Sequence, residues 1–201
     1  MNWSRRTFAA ACVAFGLAAG MATSGAFAGP ALQLIERLAR SAEPIVNNDG
    51  LTRAARTERL SVLMRDVLDR EDMAKSLLGR YWRRASAAQR DQLVPLLDAY
   101  LIDVYAGRID SIDGDVLFQV DEERDLGDRT LVESRVQQPG APDIIVTWQV
   151  EEVAGRLVVT DIVVEGVSLV ISQRADFASV IRQQGGIDGL INLLKQKLGR
   201  G

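Results

Sequence analysis

The stretch GRYWRRAS (Gly79–Ser86) sets Arg80, Arg83 and Arg84 around Tyr81 and Trp82. Guanidinium forks bind anionic oxygens in pairs, and the rings beside them supply apolar bodies. That combination suits a pocket rim, with aromatic surface inside and positive charge near an anionic headgroup. The plainer reading is a solvated helix face with an aromatic anchor in the core. The residues alone do not choose between the two.

Carboxylates offer a second chemistry. Asp121, Glu122 and Glu123 read as a solvated acidic turn at a strand end. Asp161 and Glu165 lie four residues apart, on one strand face by parity. To act as acid and base they need a pocket that separates their pKa values. Pairing with an arginine, or exposure to water, is the simpler role. If the chain is an enzyme, Asp161 is the first candidate.

Composition removes most other chemistry. The 201 residues contain no His and one Cys. Imidazole ligands, Ser-His nucleophile pairs and the usual neutral-pH proton shuttle are absent. No catalytic residue, metal or cofactor is expected. GGIDG (Gly185–Gly189) reads as a junction between two helices rather than a phosphate loop.

Residues 1–28 read as a signal peptide. MNWSRR is a basic start, TFAAACVAFGLAAGMA an apolar run, and Ala26-Phe27-Ala28 a small-x-small cleavage site that leaves Gly29 first. SRRTF (Ser4–Phe8) resembles the twin-arginine export signature. Cys12 precedes most of the apolar run, which is the wrong place for a lipid anchor. The remaining domain, residues 29–201, carries 22 basic and 27 acidic residues and has no 18-residue apolar run. It is expected to be a soluble periplasmic domain with one core, a monomer that does not bind nucleic acid.

The elements that must position these residues change type midway. Apolar residues recur at helical spacing in ALQLIERLARSAEPIV, where Pro44 kinks or ends the helix, and again in LTRAARTERLSVLMRDVLD. Asp69 is an N-cap for REDMAKSLL, which Gly79 ends, and Ser86 with Gln89 forms a capping box. The helix that follows carries Leu93, Leu96, Leu97, Tyr100, Leu101 and Val104, with a kink or a shorter lead-in helix at Pro95 and a stop at Gly107.

From residue 115 the period is two. DVLFQVDEE, RTLVESRVQQ and IIVTWQVEE alternate, VAGR is a hairpin turn, and LVVTDIVVEGVSLVIS is the longest and most apolar strand, with a bulge or bend at Gly166. RADFASVIRQQ and GIDGLINLLKQKL are closing helices. Helices followed by a meander give an α+β fold, with N-terminal helices packed over a curved four-stranded antiparallel sheet and C-terminal helices behind. The long strand is apolar on both faces, which raises the question of what covers the second. Its apolar set, Val164, Val167, Leu169 and Ile171 with Phe177 and Ile181, reads as core when taken alone.

Two segments carry a family resemblance. Asp69–Ile109, with GRYW, and Val159–Lys197, with VEGVS and RADF, resemble the MlaC family of periplasmic phospholipid-binding, toluene-tolerance components of an ABC transport system. The resemblance implies a cone-like fold related to the nuclear-transport-factor-2-like superfamily, with a deep apolar pocket for acyl chains. It implies a shuttle between an outer-membrane lipoprotein complex and an inner-membrane complex of MCE-domain protein, permease and ATPase, in the service of outer-membrane lipid asymmetry. A similar branch is associated with hopanoid production.

Parity and resemblance together nominate Tyr81, Trp82, Leu97, Tyr100, Leu101, Tyr105, Trp148, Val164, Val167, Leu169 and Phe177 as lipid-lining, with Arg80, Arg83 and Arg84 at the rim. On this reading lipid covers part of the second face of the long strand. Two alternatives stand beside it: a small pocket enzyme of the same superfamily using Asp161, and an interaction module with a filled core.

Overall fold

The computed structural model of the chain describes residues 29–109 and 115–199. The expected signal peptide and its cleavage site lie outside them. Seven helices are described: α1 (Pro30–Val46), α2 (Arg53–Val67), α3 (Arg70–Leu78), α4 (Arg80–Arg84), α5 (Ala87–Ile109), α6 (Leu169–Gln183) and α7 (Gly186–Lys197). Between α5 and α6 runs one antiparallel meander, β1 (Leu117–Asp125), β2 (Thr130–Gln137), β3 (Ile144–Val153), β4 (Arg156–Val164) and β5 (Val167–Ser168), paired in chain order.

The predicted caps form. Asp69 accepts the Glu71 and Asp72 N–H groups at 3.0 and 2.9 Å. Ser86 and Gln89 exchange two hydrogen bonds, 3.0 and 3.2 Å, and so satisfy two orphan donors at the start of α5. α5 then runs unbroken through Pro95 and two residues past Gly107. Pro95 is exposed, while Leu93, Leu96 and Leu97 around it are buried on the opposite side. Packing of that stripe outweighs the one backbone hydrogen bond the proline removes.

The long apolar strand does not exist as one strand. β4 ends at Val164, Glu165 and Gly166 both take positive φ (49° and 78°), and Val164 pairs with Val167 across them. This is a two-residue hairpin of the type whose left-handed pair matches strand twist. Ala154 and Gly155 (φ 51° and 77°) make the same turn between β3 and β4. Glu165 is held in its unfavourable conformation by Ile145, whose carbonyl accepts the Glu165 N–H (3.0 Å) and whose N–H donates to Oε1 (2.6 Å). Ser168 then caps α6, accepting from the Ile171 N–H at 3.0 Å, so Leu169–Ser172 are helical. Helix spacing replaces strand parity, and Ile171 becomes 66% exposed.

The apolar interior forms two clusters. In one, Ala31, Leu32, Ile35 and Leu38 of α1, with Val67 of α2, cover a sheet face bearing Val132, Val150 and Val159. In the other, α3 to α7 pack on one another through residues that include Leu77, Leu93, Leu97, Leu190 and Leu194. Domains of this size usually show one contiguous core. A bulge opposite Gln149 and Val150 leaves Thr160 unpaired in β4. Val159 therefore joins the sheet cluster, while Asp161 turns toward α6.

The acidic run is not a solvated turn. It lies inside β1, with a bulge at Asp121. Glu123 Oε2 accepts the Leu32 N–H at 2.7 Å, placing a carboxylate at the N-terminus of α1. A Cβ on Gly29 would sit 1.4 Å from Glu123 Oε1, so a larger residue there would push that carboxylate aside. At the other end of α1, Asn47 pairs with both the N–H and the C=O of Val116 (2.8 Å each), and Glu43 accepts the Phe118 N–H at 3.2 Å. Side chains of α1 thus occupy part of the free edge of β1.

Candidate lipid site

The nominated residues divide between the two clusters. Tyr81, Trp82, Leu97 and Phe177 are buried in the helical one, and Tyr100 and Leu101 are half-buried against it. The Tyr100 and Phe177 rings are 5.8 Å apart, tilted by 59°, and Lys197 Nζ lies 6.0 Å above Tyr100. Tyr105 is half-buried further along α5. Trp148 belongs to the sheet cluster. Val164 is half-buried at the end of β4, opposite buried Val146. Leu169 is half-buried at the start of α6, and Val167, beside the hairpin, is 56% exposed. The hairpin and the helix start explain these last two: neither lies on the face that strand parity assigned.

Phe118, Val136, Ile144 and Val164 share one end of the sheet face, by the pairings Phe118 with Val136, Val136 with Ile144, and Val146 with Val164. All four are half-buried. Tyr100 and Leu101 at the margin of the helical cluster, and Tyr105 further along α5, are likewise only half-covered.

Arg80, Arg83 and Arg84 are exposed on α4. Arg80 Nη2 donates to Tyr81 Oη at 3.0 Å, and its guanidinium carbon lies 5.0 Å from the ring centroid. The Tyr81 ring is buried while its hydroxyl meets these cations, and Arg80 first, then Arg182 of α6, hold that hydroxyl below its usual pKa. Arg182 is a residue that sequence reasoning missed. It lies 101 positions from Tyr81, and nothing local signals the contact. Among the described residues, none of Arg80, Arg83, Arg84 and Arg182 pairs with a carboxylate. Trp82 has a different cation: Arg90 lies 5.1 Å over its ring and donates to its carbonyl at 3.1 Å.

Asp161 and Glu165 do not form a pair. The Asp161 carboxylate accepts from Ser168 Oγ, from the Ile162 N–H at 2.8 Å and from the Val170 N–H at 3.1 Å. It anchors the hairpin to the first turn of α6, while Glu165 caps β3. Asp121 accepts from Arg135 Nε and Nη2 at 2.9 and 2.7 Å, and this fork holds its carboxyl below the ordinary carboxylate range.

A surface groove of about 460 Å³ lies beside this pair, lined by Gln119, Val120, Asp121, Glu122, Glu133 and Arg135. A cavity of about 20 Å³ lies between α3 and β4, against Met73, Ser76 and Val158–Thr160. Neither contains a nominated lining residue. Among the described residues, no helix is long and apolar enough to cross a membrane, and no cluster of three or more acidic, His or Cys residues is arranged to hold a metal ion.

A family model described as MlaC protein matches residues 36–196. The fold is similar to a solved structure described as the phospholipid-binding protein from Ralstonia solanacearum in complex with a phospholipid. The TM-score is 0.73, and the match covers 86% of this chain and 98% of that one at 21% identity. At that identity the likeness establishes the shared fold.

Proposed function

This chain belongs to the MlaC family, and from that premise we propose that it is a soluble periplasmic phospholipid carrier. It takes lipid between the outer membrane and an inner-membrane complex of MCE-domain protein, permease and ATPase, and so helps maintain outer-membrane lipid asymmetry. The observation that carries the reading is the fold shared over 86% of the chain with a protein described in complex with a phospholipid. The divided interior supports it.

Acyl chains would enter between the two clusters, against Tyr100, Leu101 and Tyr105 on one side and Trp148 and Val164 on the other. Tyr81, Trp82, Leu97, Leu169 and Phe177 form the wall behind, Val167 lies at the margin, and Arg80, Arg83 and Arg84 serve the headgroup. The energetics explain why a carrier is needed. Each methylene costs about 0.8 kcal/mol in water, so two ordinary chains cost on the order of 20 kcal/mol. A diffusing lipid cannot supply that; a protein wall can replace most of the lost apolar contact. The enzyme reading loses ground because both oxygens of the Asp161 carboxylate already accept hydrogen bonds from the protein.

Mass spectrometry of the intact purified protein and of its extracted lipid tests the reading. Near-stoichiometric phospholipid is the expected result. A hopanoid in its place keeps the carrier and changes the cargo, and repeated absence of lipid from folded protein overturns the proposal.

A further inference from the structure

Gln173 is 8% exposed, on the face of α6 that also carries Val170, Phe177 and Ile181. Its Oε1 is buried with no hydrogen-bond partner, and among the described residues its amide makes no hydrogen bond at all. Its neighbours on that face are apolar, and Phe177, one turn on, packs against Tyr100 at 5.8 Å. Other buried polar side chains are treated differently. Ser61 donates to the Glu58 carbonyl, Ser134 bridges Trp148 and Val146, and Asp161 takes three donors. A buried amide oxygen left unpaired is costly, and leucine or methionine would fill the position without that cost. An amide kept there calls for a partner from outside the protein.

We propose that Gln173 is an internal polar anchor for the bound lipid, hydrogen-bonding the ester linkage where acyl chains join the glycerol. This rests on the carrier reading. A diacyl phospholipid carries two ester carbonyls at the boundary between its apolar chains and its polar head, so an amide set among apolar residues meets the one polar group that enters with the chains. Rotation of the amide by half a turn exchanges N–H and C=O, so the side chain presents a donor to an ester carbonyl, or an acceptor to a hydroxyl where one chain is missing. The anchor fixes how deep the lipid sits, which apolar contacts alone do not.

The test loads delipidated protein with an equimolar mixture of dioleoyl phosphatidylglycerol and its diether analogue, which lacks the ester carbonyls, and reads the bound ratio by native mass spectrometry. The wild type should favour the ester lipid by about fivefold, the ratio that one hydrogen bond of about 1 kcal/mol sets at 1.4 kcal/mol per factor of ten. Gln173→Met, close in shape but without the amide, should bind both equally. Its delipidated form should melt no lower than the wild type, because it loses an unpaired group. Equal binding of the two lipids by the wild type overturns the anchor and leaves the carrier standing. No lipid bound by the wild type overturns the carrier, and the anchor with it. An equal wild-type ratio overturns the anchor even where the variant does not fold, and an ester preference retained by Gln173→Met overturns it as well.

Discussion

Trp148 donates its indole N–H to Ser134 Oγ at 2.8 Å, diagonally across the β2–β3 pair, and Ser134 Oγ donates in turn to the Val146 carbonyl at 3.3 Å. The Ser134 hydroxyl thus satisfies the only polar atom of the tryptophan side chain, so the ring presents hydrocarbon alone. Ser134→Ala leaves the indole N–H without its partner and should cost about 1–2 kcal/mol in urea unfolding. Trp148→Phe added to that variant should cost less than Trp148→Phe alone. Additivity of the two would show that the bond does not matter.

Trp148 and Val164 are half-buried, on the sheet side of the proposed lipid space. Trp148→Glu or Val164→Glu should therefore lower copurifying lipid while the far-ultraviolet circular dichroism stays native. Loss of the fold would assign both residues to ordinary core. Ile171, 66% exposed, is the control. Ile171→Glu should change stability by less than about 0.5 kcal/mol and leave lipid content unchanged.

Tyr81 should ionise below the usual tyrosine value of about 10, because Arg80 and then Arg182 stabilise its phenolate. In ultraviolet titration, Arg80→Gln should move that transition back up. Arg182→Gln should move it by less, since its effect is the smaller. A titration identical in all three proteins would rule out the contact.

The Asp121 carboxyl is depressed by Arg135, so its folded pKa lies below its unfolded value. Its contribution to stability is complete above the unfolded value of about 3.9 and is lost as pH falls through the folded one. Asp121→Asn should thus lower the urea midpoint at pH 7 and narrow its gap to the wild type in strongly acidic solution. A gap constant with pH would argue that the substitution acts through packing alone.

Asp161 holds the β4–β5 hairpin to α6 through three acceptor contacts. Asp161→Asn replaces an acceptor with a donor opposite Ser168 Oγ and should destabilise by about 1–3 kcal/mol in thermal unfolding, with hydrogen-exchange protection lost first at Val170 and Ile171. Unchanged protection there would separate Asp161 from the helix start.

Local signals wrote much of this fold. The Asp69 cap, the Ser86–Gln89 box, the α5 stripe and the alternation of β1 to β3 rest on neighbours within four residues or on strict periodicity, and each is visible in a single chain. The stretch VVEGVSLVIS defeated that reasoning, because its apolar residues, which lie on both sides of Glu165, Gly166 and Ser168, suit the strand and helix periods equally. The choice fell to contacts from afar. Ile145, 20 positions back, holds Glu165 at positive φ, and Asp161 with Ser168 starts the helix one residue later.

The candidate site shows the same division. Its residue types and the family they belong to were legible, because aromatic, aliphatic and arginine side chains carry their chemistry wherever they sit. Their grouping was not. Arg182 reaches Tyr81, Ser134 takes the indole of Trp148, and Gln173 lies buried without a partner, each through packing between elements far apart in the chain. Sequence alone determined which surfaces avoid water and where short-range hydrogen bonds begin helices. Tertiary structure alone decided which of those surfaces meet each other and which are left half-covered, because burial depends on neighbours that only the folded chain brings together.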